Sequence, residues 1–98
     1  MILDNLDFGD VLKNESENLV IEELRRQLEG YKETICLCDT CVVDIVAIAL
    51  NSVKPLYRVS LLGTQYAAQA MQDTSFAQSV RDSVTKAIEK VRKNPAHD

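Results

Sequence analysis

With 98 residues the chain has room for one domain and a small core, and chains this short often add a metal or a partner subunit. Hydrophobic residues make up 46% and charged residues 27%, which excludes wholesale disorder, while three glycines and two prolines disfavour a many-stranded sandwich or barrel and favour an all-α fold. Eleven basic against fifteen acidic residues give a net charge of −4, so the surface as a whole repels a nucleic acid polymer, and an anionic ligand needs a local basic cluster.

Residues 1–13 mix apolar side chains with Asp4, Asp7 and Asp10 and read as a weakly ordered lead-in, with a helical turn able to dock on a partner. This start lacks the basic end and long apolar stretch of a secretory signal. The longest apolar run, Ile45 to Leu50, is far too short to span a bilayer, so the expected location is the cytoplasm. The folded domain is expected over 14–94, with 95–98 as a tail. Asn14 is a candidate N-cap, with Glu17 three residues on as in a capping box. Val20, Leu24, Leu28, Tyr31 and Ile35 then form the apolar stripe of an amphipathic helix, weakened near its end by Gly30.

Cys36-Leu37-Cys38-Asp39-Thr40-Cys41 falls between two helical patterns and predicts a tight connection, with Asp39 or Thr40 capping the next helix. That helix, about Val42 to Asn51, is apolar nearly all round, as a buried central helix is; Asp44 is its one charge. Lys54 before Pro55 extends the chain. Leu56 to Ser60 follow as a turn or extended segment, and Ser60 or Thr64 can cap a final helix. From Tyr66 a seam steps through Ala70, Asp73, Ala77, Val80, Val84, Ala87 and Val91, predicting one long C-terminal helix to about Lys93. Asp73 is the polar exception, and Asp73-Thr74-Ser75 is the point where a kink fits. A seam this long and a central helix this apolar predict a twofold homodimer with both helices near the interface.

Asp44-Ile-Val-Ala-Ile-Ala-Leu-Asn51, followed by Lys54-Pro-Leu-Tyr57, Ser60 and Gly63, resembles the late competence development protein ComFB family. Cys36-x-Cys38-x-x-Cys41 directly ahead of that helix looks like the metal-binding form of some members. The likeness covers about residues 16–93, and its specific part is Cys36 to Gly63. It implies an all-helical homodimer, zinc at the cysteines, and a receptor for a cyclic dinucleotide, cyclic di-GMP or cyclic di-AMP. The chain departs from the metal-binding members in having no fourth cysteine after Cys41.

Zinc takes about four soft or borderline ligands in a tetrahedron, and three thiolates within six residues can face one ion if the backbone turns sharply. The alternatives are three small buried side chains or a reversible Cys36–Cys41 disulfide. The fourth position would fall to His97, water or a partner chain, although a lone histidine beyond Pro95 is more often without structural role. A cyclic dinucleotide needs cations or backbone N–H groups for its phosphates and a flat side chain for its bases. Lys54, Arg58, Tyr57 and Ser60 supply these types, and Gly63 permits close backbone approach. The plainer alternative is a helix connection in which Leu56 and Tyr57 plug the core and the cations are solvated.

Arg25 and Arg26 read as a solvated face paired with Glu22 and Glu29. Lys86, Lys90, Arg92 and Lys93 suit the C-terminal end of a helix dipole. The folded body has no histidine for a Ser-His or Cys-His pair and no Gly-rich phosphate loop, so no catalytic residue is expected and the chain reads as a non-enzyme. The leading expectation is a cyclic dinucleotide receptor that signals through a downstream protein. The other is a zinc-stabilised structural dimer serving as a protein-interaction module.

Overall fold

The computed structural model of the chain describes residues 2–59 and 63–95, with the backbone alone at 63, 64 and 66. A 3-10 turn (Ile2–Asn5) and the short α1 (Phe8–Val11) lead into β1 (Lys13–Asn14) and α2 (Ser16–Glu29). Then come α3 (Asp39–Leu50), β2 (Tyr57–Arg58), α4 (Gly63–Ala70) and α5 (Thr74–Lys93). The fold is mostly helical, as expected, with one two-stranded antiparallel ribbon that the sequence did not announce: Lys13 pairs with Arg58 and Asn14 with Tyr57. Strands of two residues are too short to show a periodicity, so only the tertiary pairing reveals them.

Three helices make the core. Val20 and Leu24 of α2, Cys41, Ile45 and Ala49 of α3, and Val80, Val84, Ala87, Ile88 and Val91 of α5 meet there, closed at one end by Val53. α3 lies along α5, and α2 packs against both. α2 follows its predicted stripe as far as Leu28 and then stops, because Gly30 takes the C-cap position, its N–H donating to the Gln27 carbonyl and the Tyr31 N–H to that of Leu28. Tyr31 and Ile35 therefore lie beyond the helix, yet both still pack against the core.

The central helix is in the middle of the fold but is not buried all round. Its fully buried edge is Cys41, Ile45 and Ala49, whereas Val43 is 66% exposed. α3 also starts earlier than expected: Cys38 is its N-cap, and Asp39 and Thr40 lie in its first turn.

The expected single C-terminal helix is two helices. Asp73 has an extended backbone (φ −75°, ψ 114°), and its Oδ1 accepts hydrogen bonds from the N–H groups of Ser75 (2.9 Å) and Phe76 (3.3 Å). The polar exception in the seam is thus the N-cap of α5, satisfying amides that a continuous helix would bond to earlier carbonyls. At the other end Asn94 closes α5, with Lys90, Arg92 and Lys93 in the last turn.

The α5 part of the seam, Val80, Val84, Ala87 and Val91, packs within the single chain against α2 and α3. Val84 is fully buried there. Val84→Asp is consequently expected to unfold the chain itself, at a cost of about 4 kcal/mol or more, out of a total stability of about 5–15 kcal/mol. Circular dichroism showing a folded, helical Val84→Asp monomer would contradict this packing.

The amino-terminal segment behaves differently. Ile2, Leu3, Leu6, Phe8, Val11 and Leu12 are all exposed, and none of them joins the core. The radius of gyration is 15.2 Å, against about 12.6 Å for a compact domain of this length.

Candidate functional site

The cysteines gather at the start of α3. Cys38 holds the N-cap position, Cys41 lies in the first turn, buried, and Cys36 is half-buried just upstream. None is in a disulfide. Their sulphurs lie within 4.8 Å of one another. Two thiolates on one tetrahedral zinc stand about 3.8 Å apart, from bonds of about 2.3 Å. The donor type and the close spacing both fit a metal. His97, named as a possible fourth ligand, lies outside the described residues.

The chain just ahead of the cysteines is tied to α5. The Tyr31 hydroxyl donates to Glu89 (2.7 Å), Arg92 donates to the same carboxylate (2.7 Å), and Arg92 lies 3.8 Å from Glu33. The bonds from Arg92 and Tyr31 lower the pKa of Glu89 to about 2. This cluster anchors the end of α2 and the loop after it, and with them the approach to Cys36.

The second feature is the connection after α3, clamped by the start of α2. The Ser16 hydroxyl donates to the Lys54 carbonyl (2.7 Å). The Asn14 carboxamide oxygen accepts from the N–H groups of Leu56 (2.8 Å) and Ser16 (3.1 Å), and the Glu15 N–H donates to the Leu56 carbonyl (2.8 Å). Asn14, expected as the N-cap of α2, thus sits in β1 and holds two segments at once. The Glu15 carboxylate accepts from the Arg58 guanidinium. That bond holds the Glu15 carboxyl below the usual range, against burial, which pushes it up.

This clamp sorts the candidate ligand residues. Leu56 is in the core, as the plainer alternative had it. Tyr57 is not a plug: it is 61% exposed. Arg58 is engaged by Glu15. Lys54 is exposed and lines a cavity of about 350 Å³ together with Leu56, Gln69, Ala70, Asp73 and Phe76. Gly63 opens α4, and Ser60 lies outside the described residues. Glu15, Gln69, Asp73 and Phe76 were not singled out as site residues. Asp73 did carry a signal, as the one polar member of the α5 seam, whereas Glu15 gave none because its partner is 43 residues away.

Arg25 pairs with Glu22 and Arg26 with Glu23, each three residues earlier; the first pair is solvated, whereas the Glu23 carboxylate is only 10% exposed and also accepts from Gln27, and Glu29, the other expected partner, is in neither pair. No helix among the described residues is long and apolar enough to cross a membrane.

A sequence profile described as late competence development protein ComFB matches residues 13–95. No curated protein sequence matches the chain. Among solved structures, the late competence protein ComFB from Bacillus subtilis is similar: 24% identity, a TM-score of 0.73, and coverage of 86% of this chain and 91% of that one. At that identity the likeness establishes the fold alone, a small, mostly helical domain. With the profile spanning nearly all of the folded part, the chain belongs to the late competence development protein ComFB family.

Proposed function

We propose that the chain is a non-enzymatic cyclic dinucleotide receptor of the cytoplasm, a homodimer that holds zinc at Cys36, Cys38 and Cys41 and passes its signal to a downstream protein. The observation that carries it is the clamped connection after α3, which presents Lys54 and Tyr57 outward on a rigid segment. Lys54 supplies charge for a phosphate and the Tyr57 ring a face for a base. Arg58 acts through Glu15, holding β2 against α2; Ser60 and Gly63 are kept as ligand residues on the sequence alone. Pairing of two chains is supported by the exposed apolar arm and by Val43 on the open side of α3, surfaces that a second copy would cover.

Titration calorimetry against both cyclic dinucleotides tests the receptor role. Native protein should bind at least one of them, and Lys54→Ala should weaken binding roughly ten- to hundredfold, the loss of one charge-assisted hydrogen bond. With a net charge of −4, long-range steering is weak, so the loss should appear as faster dissociation. Binding of neither dinucleotide would leave the second role, a zinc-stabilised protein-interaction module, which the cysteine cluster and the exposed arm favour.

A further inference from the structure

The cavity beside Lys54 is built from parts with different chemistry. Its walls bring together a cation (Lys54), a carboxylate (Asp73), an amide (Gln69), a half-buried aromatic ring (Phe76) and the apolar Leu56 and Ala70. Its volume, about 350 Å³, lies in the range of small-molecule pockets, about 300–1,000 Å³. Lys54 and Asp73 share this space yet form no ion pair with each other. Asp73 uses only Oδ1 as the cap of α5, so Oδ2 accepts no hydrogen bond from a described residue. A lysine and an aspartate that share a pocket without pairing with each other suit a ligand that carries both an anion and hydrogen-bond donors.

We infer that this cavity is the subsite for one base of the dinucleotide and that Asp73 makes that base guanine, an inference that rests on the receptor function proposed above. A carboxylate is an acceptor only. The edge of guanine offers two adjacent donors, N1–H and the 2-amino group, that a carboxylate oxygen can accept. Adenine presents a bare N1 acceptor at the same place, and two acceptors face to face repel. Phe76 gives the base a ring to lie against. Gln69 can donate its amide to the O6 of guanine, and Lys54 at the mouth meets the phosphate. Asp73 therefore has two separate tasks, capping with one oxygen and selecting the base with the other.

The two tasks separate experimentally. Asn is as good an N-cap as Asp, so Asp73→Asn keeps α5 closed while placing an amide donor where the free oxygen was. Native protein, Asp73→Asn and Phe76→Leu are titrated with cyclic di-GMP and with cyclic di-AMP by calorimetry, with thermal melts on all three. The native chain should favour cyclic di-GMP at least tenfold. Asp73→Asn should lose roughly ten- to hundredfold for cyclic di-GMP, narrow or reverse the preference for guanine, and melt as the native protein does. Phe76→Leu should weaken both ligands alike. Native binding of cyclic di-GMP that Asp73→Asn leaves unchanged would overturn the base site and leave the receptor role standing. So would a native preference for cyclic di-AMP. Binding of neither ligand by the native protein would overturn the receptor role and the base site with it.

Discussion

Arg58→Ala should lower the unfolding free energy by about 3–5 kcal/mol, the usual result of removing one partner from a buried ion pair. The cause is what remains. The Glu15 side chain is only 6% exposed and that of Arg58 23%, so the truncation leaves a carboxylate without its main counter-charge in a nearly dry place. Urea unfolding of Arg58→Ala, Glu15→Gln and the double variant Glu15→Gln/Arg58→Met measures it. The double variant should recover part of the loss, because no uncompensated charge is left. A stable Arg58→Ala would mean that the pair does not hold β2 against α2. This result also governs any ligand experiment at Arg58: weaker binding by Arg58→Ala reports first on a loosened clamp, so Lys54→Ala is the cleaner probe of phosphate contact.

If zinc sits at Cys36, Cys38 and Cys41 as proposed, chelating it should have a comparable effect. A ligand held only by the folded state adds about 4 kcal/mol when its free concentration is a thousandfold above Kd. For a domain of this size that is a fall in Tm of roughly 15 °C or more on chelation. Cys38→Ser is the informative variant. Cys38 is exposed, so its thiol contributes little packing, whereas Cys41 is fully buried and a hydroxyl there would disturb the core by itself. Elemental analysis should find close to one zinc per native chain and markedly less in Cys38→Ser, with the Tm falling in parallel. Native protein that carries no metal and melts unchanged in chelator would make the cluster three thiols at a helix start and nothing more.

Local pattern made much of this protein legible. The four-residue steps Val20–Leu24–Leu28 predicted α2, because a helix brings those positions onto one face by its own geometry, and the nearly all-apolar stretch from Val42 to Asn51 predicted the body of α3. The cysteine spacing was equally readable, since three thiols within six residues are neighbours in almost any turn. The same holds for the basic last turn of α5.

Tertiary structure alone decided the rest, wherever one residue had two uses or a partner far away in the chain. The α5 seam was visible, but whether it met a second copy or its own chain depended on where α2 and α3 lay, and packing resolved it inward. Asp73 stood out as a flaw in that seam. It is a helix start, because its side chain offers the amides of Ser75 and Phe76 an acceptor in place of backbone carbonyls. Arg58 was legible as a cation, but only the fold could choose between solvent, phosphate and the carboxylate of Glu15, 43 residues away. Chemistry that depends on neighbours in space, such as this clamp and the cavity between Lys54 and Asp73, exists only after the core has brought α2, the β2 connection and α5 together.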